Sequence, residues 1–279
     1  MKTPDDRLVV RELWRYPVKS MGGEQLIGCD VHETGFEGDR GWGVVDVASG
    51  TVLTARRAPE LLFASARLRD DGEVEIQLPD GQMTDSSDVL SAWLQRDVRL
   101  ERASDEGGVY ENPRDAEGET DWVSWQGPAH AWHDSPNARV SLVSAATIGD
   151  WDPHRFRANV ILGGSDEDAL VGARVHLGTA TLDVTARIVR CVMVTRPQPG
   201  VDRDLDVLRT IHRDRQSRLA VGSLVAQTGR IELGDALRPP PRTTLPDAAF
   251  VRPIESFTAT PPQRATSSPR TSTPPQGRP

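Results

Sequence analysis

The sequence predicts a mainly β protein with some α, an α+β arrangement, and three observations carry that expectation. Runs of strand length rich in Val, Ile, Thr and aromatic residues recur between residues 7 and 233, separated by Gly, Asp, Ser or Pro. Residues 87–95 and 205–213 instead space their apolar residues as helices do. From residue 239 the composition changes: 11 of the 21 prolines fall in 239–279, mixed with Thr, Ser and Arg. That tail has too little apolar surface to offset its ordering entropy and is expected to be disordered.

Taken in order, residues 7–16 read as a strand interrupted by Pro17, and Ser20-Met21-Gly22-Gly23 reads as a turn. A strand resumes over 25–32 and contains Cys29. The glycine-rich segment 35–43 precedes a hairpin expected over 42–54, around Ser49-Gly50. A second hairpin is expected over 66–78, turning at Asp70-Asp71-Gly72. In the helix at 87–95, Ser87 is the candidate cap and Leu90, Trp93 and Leu94 share a face. Residues 104–121 are glycine-rich and acidic, carrying Asp105, Glu106, Glu111, Asp115, Glu117, Glu119 and Asp121, and are expected to be a linker or mobile loop. Residues 122–133 hold Trp122, Trp125 and Trp132 with the pair His130 and His133; without a further ligand at matching spacing, a polar loop packing its tryptophans is expected over a zinc site. Residues 138–148 read as a strand running into a helix, with Ser141 and Ser144 as candidate caps. Strands follow at 160–162, 175–177 and 181–195, then a helix over 205–213 with Leu205, Leu208 and Ile211 together. A closing hairpin is expected from 219–227 and 230–233.

Composition narrows the function classes. A hydrophobic share of 37% and a charged share of 27% describe a soluble globular chain. No run approaches the ~18–20 apolar residues of a membrane span, and the N-terminus lacks the pattern of a signal peptide; a cytoplasmic protein with no membrane partner is expected. The net charge of −8 argues against broad nucleic-acid binding. Two cysteines, Cys29 and Cys191, supply neither a disulfide framework nor a four-cysteine iron–sulfur cluster within one chain. Of the 33 basic residues 31 are arginine, and the one internal lysine is Lys19. A site needing a compact ammonium is one reading of that lysine.

The segment 188–195 concentrates the chemistry. Strand alternation turns Leu182, Val184, Ala186 and Ile188 one way and puts Val189, Cys191 and Met193 on the other face. Arg190 then falls on the apolar side, where an unpaired guanidinium is costly. Either a β-bulge re-aims the chain there or Arg190 meets an anion. The neighbouring cation favours thiolate at Cys191, the form that ligates soft metals or attacks electrophiles, although a buried cysteine that only packs is the plain alternative. Cys29 has no adjacent basic residue and reads as structural. Basic turn segments at Lys19-Ser20, Asp39-Arg40, Arg56-Arg57 and Arg155-Phe156-Arg157 suggest a local anion pocket in an acidic chain.

YPVKS at 16–20, GDRGW at 38–42, TARRAPEL at 54–61, SLVSAATI at 141–148, HRFRANVIL at 154–162 and RCVMVT at 190–195 follow one another in order. Together they resemble the MOSC family, named for the C-terminal domain of molybdenum cofactor sulfurase, in its form with an N-terminal MOSC β-barrel domain. They are similar to amidoxime reducing components and bacterial proteins like them. The resemblance implies a MOSC N-terminal β-barrel-like domain over 5–105, a MOSC β-barrel domain over 106–238, and the tail 239–279. It implies that Cys191 ligates molybdenum and is catalytic. It also implies that Lys19, Ser20, Arg40, Arg56, Ser141, Ser144, Arg155, Arg157, Asn159 and Arg190 bind the molybdenum cofactor, molybdopterin with its metal.

The implied activity is that of an oxidoreductase acting on N-hydroxylated or similar small substrates, with electrons from an external flavin, iron–sulfur or haem protein. Relatives commonly follow the cysteine with T-T, an acidic residue and proline; Val194-Thr195-Arg196-Pro197 departs from this, so the substrate does not carry over. Pyridoxal phosphate enters only as a family-level association, through a domain of the full sulfurase expected to be lacking here. Two alternatives remain: a non-redox sulfur carrier or cofactor-transfer protein using Cys191 as a persulfide, and a non-catalytic β domain with two buried thiols.

Overall fold

We describe residues 8–115 and 120–238 of a computed structural model. The chain opens with β1 (Val10–Arg15), β2 (Glu24–Leu26), β3 (Gly28–His32) and β4 (Gly35–Phe36). The single strand expected over 25–32 is split at Ile27, which is 82% exposed. The chain changes partners there: Leu26 lies opposite Leu13 of β1, whereas Val31 of β3 lies opposite Phe36 of β4.

Next come β5 (Trp42–Asp46), β6 (Ser65–Leu68), β7 (Val74–Gln77), β8 (Met83–Thr84), helix α1 (Ser87–Leu94) and β9 (Val98–Arg102). The turn at Ser49-Gly50 forms as expected, with Asp46 and Thr51 joined through the backbone, but the long partner of β5 is β9. β6 and β7 form the second expected hairpin. Ser86, not Ser87, holds the N-cap position of α1, without a capping bond from its side chain; the Ser87 hydroxyl accepts a hydrogen bond from the Leu100 amide. Leu90 drops from α1 into a core with Val44, Leu61, Ile76 and Val98.

The acidic stretch expected to be a linker is mostly a hairpin, β10 (Val109–Asp115) with β11 (Thr120–Gln126). Its strand character was masked by the Glu and Asp residues, which find cations here instead of repelling one another. Glu111 pairs with Arg57 at 2.8 Å, and the Arg57 guanidinium stacks 4.1 Å from the Trp122 ring centre. Tyr110 is buried against Trp125, with ring centres 5.0 Å apart. Glu117 and Glu119 lie outside the described residues, as does the tail 239–279.

The remaining elements are β12 (Val140–Ser144), α2 (Ala145–Ile148), β13 (Val160–Leu162), β14 (Arg174–Leu177), β15 (Ala180–Val189), α3 (Leu205–Arg215), β16 (Arg218–Gln227) and β17 (Gly229–Glu232). Among the described residues, the largest sheet has seven strands in the order β14-β15-β16-β12-β13-β1-β2, curled as a half-barrel. Leu13, Leu142, Val160, Leu162, Leu182 and Val221 are fully buried in its core. Burial of such a side chain contributes about 1.5–3 kcal/mol. Strand pairing crosses the expected division at 105/106, since β1 pairs with β13 and β3 with β17. The closing hairpin does not form, because β15 and β12 already occupy both edges of β16 and β17 pairs with β3 instead. In α3 it is Val207 and Ile211 that are buried, one turn apart, while Leu205 is exposed.

Ser144 caps α2, accepting a bond from the Thr147 amide at 3.2 Å, and donates to the buried Glu167 carboxylate at 2.6 Å. Thr147 donates to the same oxygen, and Arg215 reaches the adjacent Asp168 at 2.7 Å. Ser144→Ala therefore removes a helix cap and a charge-assisted bond to a buried acid. We expect a loss of about 1–3 kcal/mol in urea unfolding.

Candidate functional site

β15 stops at Val189, not at Thr195 as strand alternation implied. The register against β16 slips between Thr181 and Leu182, between Val184 and Ala186, and again between Arg187 and Val189. These irregularities end the simple alternation: Ala186 is exposed although the pattern assigned it to the buried face. Beyond them Cys191 is extended, and Val192–Thr195 turns into a 3-10 helix. Of the two readings of Arg190, a bulge or an anion, the register slip between Arg187 and Val189 is in line with the first, and backbone carbonyls receive its guanidinium. Arg190 Nε donates to Leu219 O at 2.8 Å and Nη1 to Phe156 O at 2.9 Å, while its backbone amide donates to Ser217 O. Arg190 thus ties the end of β15 to the start of β16 and to the 3-10 turn Pro153–Phe156. Cys191, the next residue, is a half-buried free thiol.

Cys191 lines a cavity of about 210 Å³ that gathers seven cationic side chains from distant parts of the chain. Lys19 follows a short parallel bridge between Val18 and Trp42. Arg40 lies in the glycine-rich turn before β5, and Arg56 in the loop after it. Arg155 and Arg157 flank Phe156, Arg139 precedes β12, and Arg190 precedes the thiol. Ser20, Arg40 and Arg157 have φ of 69°, 53° and 50°, the left-handed region that costs a residue with a Cβ about 1 kcal/mol or more.

Several of these cations are braced by the chain. Tyr16 lies between two of them, its ring centre 4.4 Å from Arg157 and 5.3 Å from Arg40. Arg40 pairs with the buried Asp39 and donates to Arg157 O, while Arg157 donates to Met21 O. Burial, followed by repulsion from Arg40, lowers the Arg157 pKa to about 10. Burial lowers that of Arg190 to about 10 as well, with the neighbouring Cys191 opposing the shift. For Arg40 burial acts in the same direction but is outweighed by Asp39 and Asp134, so its pKa rises.

Lys19 is 3% exposed. Its ammonium donates to Trp132 O and Asp134 Oδ1, both at 2.8 Å, and lies 4.5 Å from the centre of the Tyr110 ring. Burial lowers its pKa despite Asp134. Partial loss of hydration opposes the Asp134 charge, but Lys19, then Arg40 and Arg56, hold that carboxyl well below the ordinary carboxylate range. The Asp134 side chain is also 81% exposed, so solvent screens the pairing.

Ten of the eleven residues singled out from sequence line this cavity; Ser144 does not, and is engaged with α2 and Glu167. Ser20, Ser141, Arg155 and Asn159 are held in the wall by the chain itself. Ser20 Oγ accepts from the Ala55 amide. Ser141 and Asn159 bond reciprocally, through Ser141 Oγ to Asn159 Oδ1 at 2.9 Å and the Asn159 amide to Ser141 Oγ at 3.0 Å. Arg155 donates to Val194 O and Asp202 O, bracing the segment after the thiol. Sequence reasoning missed His133, Asp134 and Arg139 as wall residues. Arg139, two positions before the SLVSAATI stretch, was the one legible signal. His130 is exposed while His133 is buried, its Nε2–H donating to Thr34 O at 3.0 Å. Among the described residues no group of three or more His, Cys, Asp or Glu could hold a metal. Cys29 is buried and burial raises its thiol pKa to about 12, so it packs as a neutral thiol.

The fold and the cavity define a mainly β protein with a cation-lined cleft beside a free thiol. The chain belongs to the MOSC family: residues 7–122 match the MOSC N-terminal beta barrel domain and residues 127–238 the MOSC domain. The family is associated with the molybdenum cofactor; pyridoxal phosphate gains no support from either match. No curated protein matches the sequence significantly. Similar solved structures include the YUAD protein from Bacillus subtilis, 12% identical, covering 82% of this chain and 93% of that one with a TM-score of 0.40. YiiM from Geobacillus stearothermophilus is 17% identical, covering 50% of this chain and 75% of that one with a TM-score of 0.33. Those scores are too low to speak for a shared fold, and membership rests on the two domain matches. Among the described residues no helix is long and apolar enough to cross a membrane.

The wall residues suit an anionic group. Arg139 Nη1 and Arg190 Nη2 are buried without a hydrogen-bond partner among the described residues, and both arginines line the cavity with the thiol. Buried donors of this kind cost about 1–3 kcal/mol each until an acceptor meets them.

His133 supplies a pH test. Burial, then Arg40, lowers its pKa to about 4, against about 6.5 in the unfolded chain. The unfolded state therefore binds the extra proton first. The stability contribution of neutral His133 is complete above pH 6.5 and is lost as pH falls towards 4, by up to about 3 kcal/mol. Thermal melts of wild type and His133→Gln across that window should show the wild type losing more stability on acidification.

Proposed function

We propose that this protein is a molybdenum cofactor-binding oxidoreductase that reduces N-hydroxylated or similar small substrates, with Cys191 as the metal's protein ligand. One observation carries the reading: the free thiol of Cys191 opens into the same cavity as the clustered cations, in a chain of the MOSC family. A thiol suits a soft metal, and arginines suit the phosphate of a pterin. A lone cysteine cannot hold a metal by itself, so an organic group would have to bring most of the ligands. When bound, the cofactor would supply two-electron redox chemistry at its metal.

The chain's own residues hold and orient. Arg190 fixes the backbone at Cys191 through Leu219 O and Phe156 O, so the thiol meets its ligand without searching rotations of the main chain. Arg139, Arg157 and Lys19 would neutralise the phosphate, and Arg155 would keep the Val192–Thr195 turn in place through Val194 O. Removing oxygen from an N–OH group takes two electrons and two protons and releases water. The electrons would come from a separate flavin, iron–sulfur or haem protein, since two cysteines cannot ligate a four-cysteine cluster.

A sulfur-carrier or cofactor-transfer role is the second reading, favoured by the half-buried, free state of the same thiol. Expression in a host that makes molybdopterin separates the two. About one molybdenum per chain with N-hydroxylamine reduction supports the first, with both lost in Cys191→Ala. Sulfane sulfur on Cys191 without metal supports the second and refutes the oxidoreductase.

A further inference from the structure

The ammonium of Lys19 already has its full set of partners: Trp132 O, Asp134 Oδ1 and the face of Tyr110. Two of those partners are fixed. Trp132 is 4% exposed and its amide is bonded to Arg40 O, and Tyr110 is 1% exposed, stacked on Trp125. Asp134 is different in kind. Its side chain is 81% exposed and can swing into solvent without moving the backbone. Among the described residues it is also the one carboxylate lining the cavity, facing seven cations.

We infer that Asp134 is a specificity-determining residue: an internal counter-anion on Lys19 that a phosphate-bearing ligand must displace to reach the ammonium. The inference rests on the cleft being an anion site, as proposed above. It divides the wall in two. Arg139 Nη1 and Arg190 Nη2 have no partner to give up when an oxyanion meets them. Lys19 can do so only in exchange for a carboxylate. A small free oxyanion, contacting few groups at once, gains little from that exchange. A larger ligand anchored elsewhere in the cleft can drive it, because its phosphate is delivered at high effective concentration. The carboxylate thus biases the cleft against loose inorganic anions and towards a phosphate attached to a larger body. It also limits the mutual repulsion of the cations while the cleft awaits its ligand.

The test uses the full chain and inorganic pyrophosphate, by calorimetric titration at fixed low ionic strength. Asp134→Asn and Asp134→Ala should bind pyrophosphate roughly five- to tenfold more tightly than wild type. The gain should vanish when Lys19→Gln is added to either. Asp105→Asn, which removes the same charge from a side chain 94% exposed and paired with His130, should give no comparable gain. Circular dichroism establishes that each variant is folded. The inference is overturned if the Asp134 variants bind no more tightly than wild type, if Asp105→Asn matches them, or if their gain survives loss of Lys19. In those outcomes binding by wild type still leaves the anion site standing. Absence of binding by every variant sinks the anion site itself. Molybdenum content, measured separately, reports on Cys191 and not on Asp134.

Discussion

Burying a guanidinium requires acceptors, and the placement of the thiol depends on where Arg190 finds them. Its two carbonyl partners come from Leu219 at the start of β16 and from Phe156 in the turn before β13. A charged donor meeting backbone acceptors in a half-buried setting is a strong and directional tie. It fixes three segments together: the end of β15, the neighbouring strand and the arginine-bearing turn at 153–157. Cys191 follows at once, so its position is inherited from that tie. Without it the end of β15 would keep only the bond from the Arg190 amide to Ser217 O and the Arg155 brace on Val194 O to hold it beside the cleft.

Concentrating cations in one cavity is unfavourable, and the structure meets that cost in three ways. Backbone carbonyls receive Arg155, Arg157 and Arg190 without neutralising them. The ring of Tyr16 lies between Arg40 and Arg157, where its π face offers weak attraction. Asp39 and Asp134 supply true counter-charges, one buried and one at the mouth. The first two devices position charge and preserve it for a ligand, and the carboxylates temper it. Left-handed backbone at Ser20, Arg40 and Arg157 adds strain at the same wall, a pattern that accumulates where surrounding structure holds residues in place for a ligand.

The hairpin β10–β11 shows how composition can mislead. Glycine and acidic residues lower local strand preference, and nothing periodic stands out between 104 and 121. The pairing is stabilised across the fold instead, by Arg57 against Trp122 and Glu111, and by Tyr110 packed on Trp125. Tyr110 in turn forms the floor beneath Lys19. A segment that looked like a connector therefore shapes the site.

The sequence by itself determined several strands, among them β1, β6, β7 and β13, marked Ser144 as one of two candidate caps, and left a bulge or an anion open at Arg190. Each is written in neighbouring residues and in the spacing of apolar side chains. It also marked most of the cavity's cations, because basic turns in an acidic chain stand out one segment at a time. Only the tertiary structure decided that Cys191 lies beyond its strand, that Ser144 serves Glu167 and not the cleft, and that Asp134 meets Lys19. Lys19 and Asp134 are 115 positions apart, and Arg157 and Met21 are 136 apart. Pairings at that separation leave no trace in local periodicity, because they are set by how β1, β12, β13 and the bulged end of β15 pack together.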